Sequence, residues 1–130
     1  IITAECKGIP LAHEMARQHG DKSYVIARKT TKLYMVSPLE VTVNSITTEA
    51  QQTLYLDWHD AEMIRGKRVL IVDDVISTGE SLRALEVLVN EAGGNIVGKM
   101  TILAEGKASE RDDLIYLEKL PLFDKNGKEL

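Results

Sequence analysis

The sequence predicts an α/β domain with a mainly parallel central sheet, flanking helices and one flexible β excursion. Three observations predict it. Val69-Leu70-Ile71-Val72 is a continuous apolar run rich in β-branched residues, as in a strand buried on both faces of a parallel sheet. Strand-like runs alternate with helical patterns, clearest where Leu82, Leu85, Val89 and Ala92 follow that run. Between residues 33 and 57 the pattern changes to short strand-like pieces around a polar middle.

In order, Ile1 to Thr3 read as a short strand, and residues 4–8 as a turn ending at Gly8. Pro10 suits a first helical turn, Leu11, Ala12, Met15 and Ala16 recur at helical spacing, and Gly20 stops the helix. Ser23 to Ala27 is a second buried strand, followed by the basic connection 28–32. Leu33-Tyr34-Met35-Val36 and Thr53-Leu54-Tyr55-Leu56 read as two strands, the arms of an excursion whose loop over 37–52 has the length of a functional lid. Asp60 to Arg65 is a short helix closed by Gly66, and the central strand covers 68–73. The helix after it ends at Gly93-Gly94. Asn95 to Ala104 is a further strand, 105–113 is a charged loop, and Leu114 to Leu117 and Leu120 to Phe123 are short apolar pieces.

Composition bounds the function classes. The 130 residues, 44% apolar and 28% charged, suit one globular domain spanning 1–130. A net charge of -4 gives no global reason to bind nucleic acid. The single Cys6 can form no internal disulfide, which fits a reducing, cytoplasmic setting. No apolar stretch approaches the roughly 20 residues of a membrane helix, and no signal-peptide pattern occurs. The chain opens inside an apolar segment, so either the first strand is terminal or upstream sequence is absent.

Chemistry concentrates in residues 68–81. The apolar run ends in Asp73-Asp74, and the turn Ser77-Thr78-Gly79-Glu80-Ser81 leads into a helix. Ligands of open α/β sheets bind at such carboxyl-end corners. Amides at a helix start lack intrahelical partners and favour phosphate. The two acids repel phosphate but accept hydrogen bonds from hydroxyls. A ribose 5-phosphate unit supplies both. A Walker-type loop is excluded because no Lys follows Gly79, and no Gly-x-Gly-x-x-Gly occurs.

Val69 to Ser81 resembles the phosphoribosyl diphosphate (PRPP) motif of the type I phosphoribosyltransferase family, and the resemblance covers nearly the whole chain. Ala4-Glu5-Cys6-Lys7-Gly8-Ile9-Pro10-Leu11-Ala12 is similar to that family's diphosphate loop. Val25 to Lys29 with Lys32-Leu33, and Glu105 to Leu114, resemble segments of the adenine-type enzymes. Glu80 departs from the motif, where Gly is commoner.

The resemblance implies a purine phosphoribosyltransferase fold whose N-terminal hood is absent or truncated. It implies transfer of the 5-phosphoribosyl group from PRPP to a purine base, with release of diphosphate, in purine salvage. Asp73 and Asp74 would hold the ribose diol, and Mg2+ indirectly through hydroxyls or water. Ser77, Thr78, Gly79, Glu80 and Ser81 would bind the 5-phosphate. Glu5, Cys6, Lys7 and Gly8, with Arg28, Lys29 and Lys32, would bind the diphosphate. A homodimer is expected, with no membrane partner. Glu40 and Glu49 are the acids of the lid.

Hypoxanthine-guanine enzymes usually carry an acid where this chain has Ser77, which favours adenine. An archaeal hypoxanthine-guanine group shares the first loop, so that base stays open. So does a non-catalytic reading. Bacterial purine-operon repressors sense PRPP with the same fold and resemble residues 3–12 and 41–54, and for such a regulator nucleic acid would be a partner. His13 and His19 read as surface or edge positions, His59 as structural, and Tyr34, Tyr55 and Tyr116 as packing residues, while Cys6 lies in the ligand loop with nothing nearby to make it a nucleophile.

Overall fold

The computed structural model describes residues 1–21, 23–46 and 49–130. The strands are β1 (Ile2–Ala4), β2 (Val25–Ala27), β3 (Leu39–Asn44), β4 (Gln51–Leu56), β5 (Arg68–Ile76), β6 (Asn95–Glu105) and β7 (Ile115–Leu120). The helices are α1 (Ile9–His19), α2 (Trp58–Ile64) and α3 (Glu80–Glu91), and a 3-10 helix spans Gly106–Glu110.

Five strands form one sheet in the order β2-β1-β5-β6-β7, every pair parallel. β3 and β4 form a separate antiparallel hairpin. The chain winds outward from β1 to β2, returns to the middle, and winds the other way from β5 to β7. Right-handed crossovers then put α1 and α3 on opposite faces, and the direction reverses between β1 and β5. The loops leaving these two strands diverge there and open a crevice.

The core lies mostly on the α3 side. Leu82, Ala84, Leu85, Leu88 and Val89 of α3 pack on Ile71 and Val69, with Leu54, Leu56 and Val41 of the hairpin in the same cluster. α1 is held more thinly, burying only Ala12 and Ala16. Gly20 caps it in the left-handed conformation that its position predicts. Val97, Ile102, Ile115 and Leu117 of β6 and β7 stay exposed.

Four expected boundaries change. Residues 33–36 form no strand: Lys32 and Met35 close a turn, Asp57 Oδ1 accepts the Val36 N–H at 2.8 Å, and Leu33 is fully exposed. The first arm of the excursion is β3 instead, with Val41 buried and its polar neighbours outside. Its connection to β4 includes Thr47 and Thr48, so part of the expected lid lies outside the described residues. β5 runs three residues past Asp73, pairing with β6 as far as Ile76↔Ala104. α2 starts at Trp58, and β7 covers Ile115–Leu120, taking in most of the first apolar piece expected near the end and only Leu120 of the second.

Candidate active site

The crevice between β1 and β5 gathers most of the predicted residues. One cavity of about 320 Å³ is lined by Glu5, Cys6 and Lys7 after β1, Lys29 after β2, Gln52 and Leu54 of β4, Asp73, Asp74 and Val75 of β5, and Ser81 of α3, with Ala4 at its floor. A second hollow of about 130 Å³ shares Asp73, Val75 and Ser81, and adds Ser77, Thr78 and Gly79. Together they place an acid pair between two loops. A larger cavity, about 570 Å³, lies at the opposite, amino ends of the strands around Ile1, Arg68 and Val97. The acid pair and both loops lie away from it.

The acid pair is tightly seated. Asp73 Oδ1 accepts the N–H of Asp74 at 2.8 Å, and Thr101 Oγ1 donates to the carbonyl of Asp74 at 2.9 Å, tying β5 to β6. Asp73 is half-buried. Burial, then the neighbouring Asp74, push its carboxyl up to about 7. A group so poised gains from any ligand that brings positive charge or donor hydroxyls.

Gly8 brings the first loop against this pair. A Cβ there would lie 2.2 Å from Thr3 Oγ1 and 3.1 Å from Asp73 Oδ1, so no other residue fits without movement. The preceding Glu5–Cys6 peptide is cis. The Glu5 N–H is taken by Ala27 O at 2.9 Å. The N–H groups of Cys6, Lys7 and Gly8 have no partner among the described residues. Those three amides are therefore the donors of this loop, and Glu5 serves differently.

The Glu5 carboxylate organises the basic segment. It accepts the Lys29 N–H at 2.7 Å, and Arg28 and Lys32 approach it at 3.5 and 3.8 Å. The Lys29 N–H first, then the Lys32 and Arg28 cations, hold its carboxyl below the ordinary Glu range. Arg28 also bridges to Tyr55 through the backbone. Only Lys29 of the basic trio lines the cavity.

The second loop ends at Gly79, whose φ of 82° lies in the left-handed region that glycine tolerates. The first turn of α3 leaves amides without intrahelical partners. Glu80, the departure from the motif, turns sideways: Ser45 Oγ donates to its Oε1 at 2.6 Å. Ser81 Oγ reaches Gln52 Oε1 at 3.0 Å, and Arg83 donates to the Asn44 carbonyl. The hairpin is thus docked on the start of α3. Glu40 and Glu49, the lid acids, are exposed and line neither hollow.

Three side chains have no role in the sequence reading, which notes Glu105 and Arg111 only as part of the segment 105–114 and Gln52 only as the end of the expected lid. Gln52 lines the cavity. Glu105, at the end of β6, accepts the Ser77 hydroxyl at 2.7 Å. Arg111 stands against Gly79, its Nη1 2.7 Å from where a Cβ would be. Nothing in a motif centred on 69–81 points to residues 24 to 42 positions away. His13 and His59 are exposed and stack edge-on against Tyr24 and Trp58, as surface residues do.

A hard oxygen pair facing a diphosphate-sized cavity suits Mg2+, which is usually held by one or two carboxylates plus phosphate and water. Among the described residues no cluster of three or more ligating side chains exists. Nor is any described helix long and apolar enough to cross a membrane.

The phosphoribosyl transferase domain family model matches residues 1–123. A hypoxanthine/guanine phosphoribosyltransferase of Methanothermococcus okinawensis is 36% identical over 110 residues, covering 85% of this chain and 56% of that protein. An adenine phosphoribosyltransferase of Petrotoga mobilis is 33% identical over 122 residues, covering 91% and 65%. The chain thus spans little more than half the length of these relatives. Among solved structures, the adenine phosphoribosyltransferase of Rhodothermus marinus superposes with a TM-score of 0.77 at 26% identity, over 92% of this chain and 68% of that one. That of Trypanosoma brucei, in complex with AMP, pyrophosphate and ribose-5-phosphate, has a TM-score of 0.73 at 18% identity and covers 98% and 58%, a likeness of fold.

Proposed function

For a chain that belongs to the phosphoribosyl transferase domain family, we propose the activity of a purine phosphoribosyltransferase, with PRPP as donor and diphosphate as product. The observation that carries the reading is the acid pair Asp73-Asp74 set in one crevice between the first loop, whose Cys6, Lys7 and Gly8 amides have no partner among the described residues, and the start of α3. Sugar hydroxyls meet the acids. The 5-phosphate meets the amides of Thr78, Gly79, Glu80 and Ser81 and the Ser77 hydroxyl side. The diphosphate meets the amides of Cys6, Lys7 and Gly8 and the ammonium of Lys29.

In the reaction a purine ring nitrogen bonds to C1′ as the C1′–O bond to diphosphate breaks, the electron pair leaving with diphosphate and the imidazole proton of the purine passing to water or a nearby carboxylate. The sugar carries positive charge in between. The protein's task is placement: oriented reactants can supply about 7–11 kcal/mol of the barrier. Asp73 and Asp74 fix the ribose, Glu5 holds Arg28 and Lys32 beside Lys29, and the amides receive the departing charge. Mg2+ bound with the diphosphate would neutralise part of that charge.

Two observations bear on the base. A small residue at position 77 supports adenine. Yet Glu105 brings a carboxylate to 2.7 Å from the Ser77 hydroxyl, restoring an acid to that corner, and this supports a 6-oxopurine. The relative from Methanothermococcus okinawensis carries that name. Cytoplasmic salvage and a homodimer fit either base.

The test is turnover of PRPP with adenine, hypoxanthine and guanine in turn, followed by diphosphate release. Release with one purine assigns the base. PRPP binding without release with any purine would replace the enzyme by a PRPP sensor. No binding, or binding unaffected by Asp73→Asn with Asp74→Asn, would overturn the site.

A further inference from the structure

Arg111 lies 30 positions after the turn 77–81, yet it faces the second loop, its Nη1 2.7 Å from where a Gly79 Cβ would be. Its Nε and Nη2 donate to the two carboxylate oxygens of Asp113 at 2.9 and 2.8 Å. That fork leaves Nη1 turned toward Gly79, without a hydrogen-bond partner among the described residues. Asp113 is shared with Lys99 Nζ at 2.9 Å, and Lys99 reaches Glu86 of α3 at 2.6 Å. Charges of alternating sign therefore run from α3 across β6 to the guanidinium. Lys99 and Arg111 are each held cationic by their carboxylate partners, and Asp113 is held well below the ordinary carboxylate range.

The position is electrostatically awkward without a guest. The start of a helix carries partial positive charge from its free amides, and a cation there is unfavourable. The nearby carboxylates of Glu80 and Glu105 keep their charge but are turned toward hydroxyl donors. Glu80 accepts from Ser45, and Glu105 from Ser77. A guanidinium held against a positive helix end by a dedicated carboxylate fits an anion between the two.

We propose that Arg111 is a ligand-binding residue of this site, its Nη1 completing the cradle for the 5-phosphate of a sugar phosphate, with Asp113 as its positioning residue. This rests on the reading of the crevice as a PRPP site, and deepens it. The phosphate sits between the α3 amides and Nη1. Asp113 fixes the plane of the fork, and Lys99 keeps Asp113 from swinging away.

The experiment is calorimetric titration of the protein and its Arg111→Ala, Arg111→Lys and Asp113→Asn variants with ribose 5-phosphate, and with inorganic diphosphate as the control. Melting curves without ligand verify folding. Loss of a charge-assisted contact should weaken ribose 5-phosphate binding about tenfold to a hundredfold in Arg111→Ala. Arg111→Lys keeps the charge without the fork and should fall in between, as should Asp113→Asn. Diphosphate binding should not change. Undiminished ribose 5-phosphate binding by a folded Arg111→Ala would overturn the role of Arg111 and leave the site standing. So would an equal loss for both ligands. Failure of the unsubstituted protein to bind ribose 5-phosphate would overturn the PRPP reading, and this inference with it.

Discussion

Replacing Gly8 by alanine isolates the contact that closes the crevice. The backbone there has φ -75° and ψ -10°, which alanine adopts freely, so the conformational effect alone would stabilise by about 0.4–1 kcal/mol. The added methyl, however, would stand 2.2 Å from Thr3 Oγ1. Thr3 is fully buried in β1, with β2 on one side and β5 on the other, and cannot turn away. Overpacking of this kind costs about 1–3 kcal/mol, leaving a net loss near 1–2 kcal/mol. For a domain of this size that lowers the melting temperature by roughly 3–10 °C. The assay is thermal unfolding of four proteins: unsubstituted, Gly8→Ala, Thr3→Ala, and the double variant. Thr3 Oγ1 has no hydrogen-bond partner among the described residues, so removing it strands none of them and makes room for the methyl. The double variant should therefore be more stable than the sum of the singles by about 1–2 kcal/mol. A Gly8→Ala protein that melts at or above the unsubstituted temperature would refute the reasoning, as would strict additivity.

Two further outcomes follow from charge. Asp73 titrates higher when folded than its ordinary 3.8, so its stabilising contribution is complete below that value and is lost as pH rises through about 7. The unliganded protein should accordingly lose stability relative to Asp73→Asn between pH 5 and 8, read as the difference of their melting temperatures, and a flat difference would count against the buried pair. Glu5 has the opposite sign: the Lys29 amide, then Lys32 and Arg28, lower its pKa below 4.5, so its contribution is present above that value and lost as pH falls. Glu5→Gln should cost about 1 kcal/mol at neutral pH and converge with the parent in acid, measured by urea unfolding at both pH values; a cost that persists in acid would mean that packing, not charge, is what Glu5 supplies.

How much of this was legible depended on distance along the chain. The run Val69 to Val72, the acid pair and the turn after it are contiguous, and local pattern suffices to read them. α1 was framed by Pro10 and Gly20, both local signals. Leu33 to Val36 misled because its composition suits a strand, while the deciding contact comes from Asp57, 21 residues later. The end of β5 was misjudged for a similar reason. Charged residues looked like a boundary, but the ladder to β6 carries the strand past them to Ile76. Arg111 and Glu105 reach the site only because β6 lies beside β5, a neighbour relation that no periodicity within either strand encodes. Glu80, an anomaly within its motif, became intelligible once Ser45 was found across from it.

The docking of the hairpin on α3 has a thermodynamic corollary. Ser81, which faces both hollows, already spends its hydroxyl on Gln52. A phosphate oxygen that takes the Ser81 hydroxyl takes it from β4, loosening one of the ties that hold the hairpin down. Conversely, anything that presses the hairpin onto α3 competes with the phosphate for the same donor. Occupancy of the loop and seating of the hairpin are then linked functions, and the free energy by which either disfavours the other must be equal in both directions.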